Sequence, residues 1–238
     1  MEIATASTGA AAGTGSATVA DLLPRAVEEY GDRPAVMFKE GGSWSKLSFS
    51  AVGERVRALS LGLMDLGVEK GDKVSILANT RLEWTLFDFA ALTAGATVVP
   101  IYQTNSSDEC HYVLENSDSK VVIVEDEEQL VKVRSVRDRL PMLEHVILME
   151  GEAEDATSMS EIESRGETGD AAAWEARYRS VTPDDICTFI YTSGTTGPPK
   201  GCVISHGNYR SMLDMTQMVS VFESDDIAYL FLPLAHSF

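Results

Sequence analysis

The pattern that most constrains this fold is a series of short apolar segments, rich in β-branched residues, that alternate with helical segments. The apolar segments are residues 73–78, 96–101, 120–124 and 145–149. Their nearly continuous apolar character is typical of strands buried on both faces of a sheet. Helical spacing of apolar residues fills the intervals between them, in residues 82–94, 107–115 and 129–139. Strands joined by helices are parallel and make right-handed crossovers. We therefore predict an α/β fold with mainly parallel sheets flanked by helices.

Further elements are predicted on both sides of this region. Turn chemistry around residues 39–43 indicates a hairpin, and Ser50 and Gly67 are suited to begin and end a helix. The predicted elements are a helix over residues 18–30, strands over 35–38 and 44–49, a helix over 50–66, a helix over 209–221 and a strand over 227–232.

Three stretches carry no regular pattern. Residues 1–17 are rich in Ala, Gly, Ser and Thr, lack the basic and apolar regions of a signal peptide, and are predicted to form a disordered tail. Residues 150–170 are acidic and contain several glycines, so we expect a surface connection with at most one short helix. The carboxylates of residues 125–128 are predicted to form a solvated face.

One loop interrupts this pattern with a very different composition. An apolar strand over residues 186–191 is followed by Thr192, Ser193, Gly194, Thr195, Thr196 and Gly197, then by two prolines, Lys200 and a return strand over 202–204. Glycines let the backbone approach a ligand closely, successive N–H groups can form a nest for an anion, and hydroxyls can contact phosphate or a metal. Lys200 adds a positive charge to a chain of net charge −18. Composition alone favours phosphate binding no more than a solvated loop.

Two familiar phosphate-binding patterns do not fit this loop. Lys200 follows Pro199 and precedes Gly201, which breaks the P-loop pattern. The dinucleotide-binding glycine pattern is also missing, and the segment after the loop predicts a strand, so a helix N-terminus does not hold the anion.

Residues 189–200 resemble the signature loop of the AMP-forming acyl-adenylate synthetases, the superfamily of acyl-CoA synthetases, peptide-synthetase adenylation domains and luciferases. The loop fits at every position of that signature, and residues 204–208 and 232–238 are similar to the segments that follow it. Residues 191–201 together with 231–236 look most like long-chain fatty acyl-CoA synthetases, and residues 66–74 followed by 79–84 are similar to the same group. The resemblance implies that residues 18–238 are the N-terminal part of the AMP-binding domain of this fold, truncated at Phe238.

The resemblance also implies roles for individual residues. Thr192 would contact Mg²⁺ and phosphate, and residues 193–197 would wrap the outer phosphates of ATP. Lys200 would neutralise the leaving pyrophosphate, and His236 would orient the acyl carboxylate. His206, His111 and His145 are expected to be structural.

The implied activity of the parent protein is ATP-dependent activation of a fatty acid through acyl-AMP to acyl-CoA, with ATP, Mg²⁺, coenzyme A and the fatty acid as small-molecule partners. The family's second magnesium ligand, ribose-binding aspartate and mobile C-terminal domain would follow Phe238, so we expect the present chain to be inactive alone. Two alternatives stay open: another acyl-AMP or aryl-acid ligase of the superfamily, or a non-catalytic module that binds anions or a partner.

Composition argues against several other classes of protein. The net charge of −18 argues against nucleic-acid binding, which needs a basic face. No stretch of 18 apolar residues suggests a membrane span, while peripheral membrane contact and a homodimer are compatible with the sequence. The three cysteines, Cys110, Cys187 and Cys202, have no metal-site spacing; we expect a cytoplasmic protein in which each is a small buried residue.

Overall fold

The computed structural model describes residues 16–192, 198–218 and 226–236. Within them the chain forms, in order, α1 (Leu22–Tyr30), β1 (Pro34–Glu40), β2 (Ser43–Ser48), α2 (Phe49–Asp65), β3 (Lys73–Leu77), α3 (Leu82–Thr93), β4 (Thr97–Ile101), α4 (Ser107–Asn116), β5 (Ser119–Val124), α5 (Glu127–Arg134), a 3₁₀ turn (Arg137–Arg139), β6 (His145–Leu148), β7 (Thr157–Ser158), α6 (Met159–Glu167), α7 (Ala171–Arg179), β8 (Ile186–Thr192), β9 (Lys200–Ser205) and α8 (His206–Met218). The predicted tail, residues 1–17, lies almost wholly outside the described residues.

Within the described residues, the main sheet has seven strands in the order β7-β6-β5-β3-β4-β8-β9. Every neighbouring pair is parallel except β8 and β9, which are antiparallel. Strands β1 and β2 form a separate antiparallel hairpin. The predicted α/β class with a mainly parallel sheet is confirmed.

Helices cover both faces of this sheet. One apolar cluster joins α2, α3 and α6 to the sheet, and a second joins α4 and α5 to its other face. All five residues of β4 are buried, which explains why the strands read as apolar runs without alternation. None of the described helices is both long and apolar enough to span a membrane.

Buried hydroxyls between β3 and the start of β5 satisfy one another. The Oγ atoms of Ser75 and Ser119 lie 2.7 Å apart, and the Oγ atoms of Ser119 and Ser117 are also 2.7 Å apart. Ser117 donates to the carbonyl of Val113 at 2.7 Å. Because each of these serine hydroxyls can donate one hydrogen bond and accept another, burying them carries no penalty for an unsatisfied polar group.

The short helix that the sequence allowed within residues 150–170 is present, but the expectation that the whole segment lies on the surface was wrong. The segment contains α6, whose residues Met159, Ile162 and Gly166 are buried against α2. A Cβ atom on Gly166 would lie 1.7 Å from the carbonyl oxygen of Ala58, and one on Gly62 would lie 2.2 Å from that of Ile162. The two helices therefore touch backbone to backbone at two glycines.

The predicted strand over residues 227–232 is also wrong. The described residues of this segment form no regular structure, and Ile227 is 82% exposed and Phe231 71%. A strand needs a neighbouring strand for its backbone hydrogen bonds, and none of the described strands pairs with this segment. The prediction rested on the apolar, β-branched composition of this segment. Composition does not show whether a partner strand is present.

Smaller differences concern element ends and one cysteine. Helix α2 is capped by Ser48, whose Oγ accepts a hydrogen bond from the Ala51 amide, and not by Ser50. Helix α8 begins at His206, three residues before the predicted start. Cys110 and Cys187 are buried as expected, whereas Cys202 on β9 is exposed.

Candidate active site

The carboxyl edge of the sheet offers a natural ligand crevice beside β4. The connection from β3 to β4 runs through α3 on one face, and the connection from β4 to β5 runs through α4 on the other. Helices that leave neighbouring strands on opposite faces diverge, and ligands of open α/β sheets bind in the resulting crevice.

A cleft of about 360 Å³ lies at this edge. Its walls come from the end of β4 and the residues that follow, helix α4, the end of β8, the residue before β9 and the segment near the carboxyl terminus: Pro100, Ile101, Tyr102, Thr104, Asn105, Glu109, Val113, Ile190, Tyr191, Thr192, Pro199 and His236. The cleft thus joins Thr192 and His236, two residues that sequence analysis selected separately.

The two stems of the loop are held in register by the β8–β9 pair. Thr192 lies opposite Lys200 in the antiparallel ladder. Both residues are exposed, but only Thr192 lines the cleft. The loop residues Ser193, Gly194, Thr195, Thr196 and Gly197, expected to contact phosphate, lie outside the described residues.

Helix α4 anchors both stems through two tyrosines. The hydroxyl of Tyr112 donates to the carbonyl of Pro199 at 2.8 Å, and the hydroxyl of Tyr191 donates to Oδ1 of Asn116 at 2.7 Å. The two rings meet edge to face, with centroids 6.3 Å apart. Burial raises the pKa of Tyr191 to about 12, so its phenol stays protonated and remains a donor at neutral pH.

His236 reaches the cleft on a short segment that is docked beside β3. The hydroxyl of Thr80 donates to the carbonyl of Leu232 at 2.9 Å and accepts from the amide of Leu234 at 3.0 Å. Ala235 is 3% exposed, and the His236 ring lies edge-on to Tyr102 with centroids 6.3 Å apart. The imidazole itself is exposed.

The loop that carries Thr80 is held by a network of partly buried ion pairs. Arg81 forms ion pairs with Glu83, Glu125 and Glu150, and the Glu125 side chain is only 13% exposed. Oε2 of Glu125 also accepts hydrogen bonds from the amide and side-chain nitrogens of Asn79, both at 2.7 Å. The prediction that residues 125–128 form a solvated face was therefore wrong for Glu125, which holds two strand ends together.

The other histidines lie outside the cleft lining. His206 is 1% exposed, and its Nδ1 accepts a hydrogen bond from the amide of Val19 at 3.2 Å. Burial lowers the pKa of His206 to about 4, so the ring is neutral and ties the start of α8 to the amino-terminal segment. His111 lies on α4, 3.8 Å from Glu115, and His145 begins β6. These placements support the structural roles expected for them.

The described residues offer little for a resident metal ion. They contain no group of three or more His, Cys, Asp or Glu side chains that could hold one. In the cleft, Thr192 provides a hydroxyl, and the Glu109 carboxylate is already engaged by the amide and hydroxyl of Ser106. Mg²⁺ in nucleotide sites is held through phosphates, waters and one or two protein oxygens, so this set fits an ion that arrives with the nucleotide.

Sequence reasoning missed the residues that build the frame of the site. Thr80 and Arg81 follow β3, and Tyr102, Thr104 and Asn105 follow β4. Polar residues directly after buried parallel strands mark the carboxyl edge of a sheet, which was an available signal for both groups. Tyr112 gave no such signal, because its partner Pro199 is 87 residues away in the sequence.

Comparison with known proteins finds relatives among long-chain-fatty-acid–CoA ligases. The long-chain-fatty-acid–CoA ligase ACSBG2 of Xenopus laevis is 34% identical over 227 residues, which cover 92% of this chain and 31% of that protein. The long-chain-fatty-acid–CoA ligase FadD15 of Mycobacterium tuberculosis is 34% identical over 197 residues, which cover 82% of this chain and 32% of that protein. The chain spans about a third of the length of these curated relatives.

Solved structures show the same fold. The anthranilate CoA ligase AuaEII, solved in complex with anthranoyl-AMP, matches with a TM-score of 0.70 and 29% identity over 81% of this chain and 35% of that one. A putative long-chain-fatty-acid CoA ligase from Rhodopseudomonas palustris matches in fold with a TM-score of 0.79, at 24% identity, over 92% of this chain and 52% of that one. A family profile described as AMP-binding enzyme matches residues 23–238. This chain therefore belongs to the AMP-binding enzyme family.

Proposed function

We propose that the protein containing this chain activates a carboxylic acid with ATP and transfers it to coenzyme A, and that its acid is a long-chain fatty acid. The observation that carries the proposal is the meeting of Thr192 and His236 in one cleft at the carboxyl edge of the sheet. The substrate class is supported by the relatives, two of which are long-chain-fatty-acid–CoA ligases at 34% identity.

The reaction proceeds in two displacements. A carboxylate oxygen of the acid attacks the α-phosphorus of ATP, a new P–O bond forms, and pyrophosphate leaves with the bonding electrons. The sulfur of coenzyme A then attacks the acyl carbon, a thioester forms, and AMP leaves. The first step joins two anions, so placing them in line and dispersing the charge of the pyrophosphate are what the protein must supply.

The residues of the cleft suit these tasks. Thr192 offers a hydroxyl to a phosphate oxygen or to the Mg²⁺ that accompanies ATP, and bound Mg²⁺ would supply neutralisation of phosphate charge. We assign contacts with the outer phosphates to Ser193, Gly194, Thr195, Thr196 and Gly197, and charge neutralisation to Lys200, whose long flexible stem can reach from the β9 end of the loop. His236 is assigned to orient the carboxylate, since it lines the same cleft as Thr192.

The test is pyrophosphate exchange into ATP, which depends on the first step alone. In the protein containing this chain, Thr192→Ala, Lys200→Ala and His236→Ala should each lower fatty-acid-dependent exchange by about 10- to 1,000-fold, the range for one lost transition-state contact. Lys46→Ala, on the exposed hairpin strand β2, is the matched control and should leave the exchange rate unchanged.

Three outcomes separate the candidate functions. Exchange that depends on long-chain acids supports the proposal, and exchange that depends only on aryl or short acids identifies another acid ligase of the superfamily. Unchanged activity in the Thr192 and Lys200 variants would indicate a non-catalytic loop and contradict the assignment. The expectation that the 238-residue chain alone forms no acyl-CoA stays a prediction, which palmitate, ATP and coenzyme A would test directly.

A further inference from the structure

The hydroxyl of Thr80 links two distant parts of the chain. Thr80 lies in the loop between β3 and α3, and both of its hydrogen bonds go to the backbone of the segment 232–236. The hydroxyl donates to the carbonyl of Leu232 at 2.9 Å and accepts from the amide of Leu234 at 3.0 Å. One side-chain oxygen thus holds two alternate residues of a segment that has no strand or helix of its own among the described residues.

The loop around Thr80 is fixed independently of that segment. On one side of Thr80, Asn79 is bound through both its amide and its side chain to Glu125, each at 2.7 Å. On the other side, Arg81 pairs with Glu83 at 2.6 Å and with Glu125 at 3.2 Å. Glu125 directly follows β5, the neighbour of β3, so the hydroxyl is held by the sheet itself.

The segment 232–236 links the hydrogen bonds of Thr80 to the position of the His236 side chain in the cleft. Leu234 packs against the main apolar cluster, and Ala235 is buried. The His236 amide donates to the carbonyl of Pro233 at 3.0 Å, which turns the chain and directs the imidazole to the cleft beside Tyr102. The place of the ring therefore depends on where Leu232 and Leu234 are held.

We propose that Thr80 is a positioning residue: it does not contact substrate, and it sets the place of the His236 imidazole by clamping Leu232 and Leu234. Threonine suits this task because one hydroxyl can donate and accept at the same time. Replacement by valine keeps the shape and removes both hydrogen bonds, which leaves the half-buried Leu234 amide without this partner. The effect on catalysis rests on the proposed function, whereas the clamp itself does not.

Three variants of the protein containing this chain test the proposal. Thr80→Val removes the clamp, and Thr80→Ser retains the hydroxyl. Thr93→Val is the matched control, because among the described residues its hydroxyl bonds carbonyls of its own helix, Phe89 at 2.7 Å and Ala90 at 3.2 Å. Two measurements are made on each: hydrogen exchange of the Leu234 amide, and kcat and KM of fatty-acid-dependent pyrophosphate exchange.

The expected results separate positioning from general stability. Thr80→Val should speed exchange of the Leu234 amide by about tenfold, the effect of losing hydrogen bonds worth about 1.4 kcal/mol. It should lower kcat by a similar factor of about ten while KM for ATP changes less than about twofold, because His236 acts on the acid and not on ATP binding. Thr80→Ser should restore both quantities, and Thr93→Val should change neither.

Each of the two measurements tests a different part of the proposal. Unchanged protection of the Leu234 amide in Thr80→Val would overturn the clamp, whatever the enzyme does. Faster exchange with unchanged kcat would overturn the positioning of His236 while leaving the proposed function intact. A wild-type protein without acid-dependent pyrophosphate exchange would overturn the proposed function, and the amide measurement would then still decide the clamp.

Discussion

His206 and His236 show how residues of the same type take different roles according to burial. His236 is exposed at the cleft, where an imidazole can meet a ligand. His206 is buried, and desolvation lowers its pKa to about 4 despite the neighbouring carboxylates of Asp185 and Asp21. Burial favours the neutral ring and makes it a hydrogen-bond acceptor for Val19.

This buried ring predicts a loss of stability in acid. Between about pH 6.5 and about pH 4 the unfolded chain binds a proton at His206 that the folded chain does not, so stability falls as the pH falls through this range. The loss attributable to His206 should reach about 2 kcal/mol near pH 5. His206→Gln, which retains an acceptor for Val19, should remove it. Urea unfolding of both proteins near neutral pH and in mild acid measures the difference, and an equal loss in both would contradict the assignment.

Asp88 predicts the opposite dependence. This half-buried carboxyl on α3 lies near the Cys187 thiol, and burial raises its pKa from 3.8 to about 7. The folded chain therefore holds a proton that the unfolded chain has released, and stability falls as the pH rises from about 4 to about 7. Asp88→Asn should stabilise the protein by on the order of 1 kcal/mol at mildly alkaline pH. Near pH 4 it should have little effect. Thermal unfolding at the two pH values checks this, and equal shifts at both would count against a raised pKa.

Among the elements, the pair α2 and α6 depends on the absence of side chains. A Cβ atom on Gly166 would overlap the Ala58 carbonyl at 1.7 Å, and backbone cannot rotate away as a side chain can. We expect Gly166→Ala to destabilise the protein by about 2–4 kcal/mol, as for overpacking in a tight core.

The matched control for this prediction is on the same helix pair. Gly53→Ala, in α2, would place its Cβ 2.6 Å from a methyl group of Val27, which is only half-buried and can move. Alanine also favours a helix over glycine by about 1 kcal/mol, so this variant should stay within about 1 kcal/mol of the wild type. Urea unfolding compares the two, and equal effects would show that the backbone contact is not the cause.

Helix α4 is predicted to hold the end of the β8–β9 ladder. The Tyr112 hydroxyl bonds the Pro199 carbonyl, next to the terminal pair Thr192 and Lys200. Tyr112→Phe should speed hydrogen exchange at the Lys200 and Gly201 amides by about 3- to 10-fold, equivalent to one hydrogen bond. Tyr178→Phe on α7, away from the cleft, is the control. The prediction fails if both variants leave these amides equally protected.

For the molecule as a whole, the strands of the sheet could be predicted from the sequence. The helix contacts and long-range hydrogen bonds around the sheet could not. Strands β3, β4 and β5 are buried on both faces, so their apolar composition identified them without any tertiary information. Glycine at position 166 read as a break in the chain, although it is the contact point of a helix. A glycine required for close packing and one required for a turn look the same in a single sequence.

The candidate site, too, could be predicted from the sequence only in part. The family resemblance of residues 189–200 and 232–238 selected Thr192 and His236, and both line one cleft. Thr80 was missed as an anchor because its hydrogen-bond partners lie 152 and 154 residues away. Residues 227–232 failed as a strand for the converse reason, because strand pairing is a property of two segments and the sequence displayed only one.

The attachment of the segment that carries His236 has a consequence for local stability. Within the described residues, the segment 232–236 belongs to none of the seven strands, and its contacts include the two hydrogen bonds of Thr80 and the packing of Leu234 and the buried Ala235. Its release would leave every rung of the ladder intact and cost far less than global unfolding. We therefore expect the amide hydrogens of this wall of the cleft to exchange with solvent sooner than those of the strands beneath it.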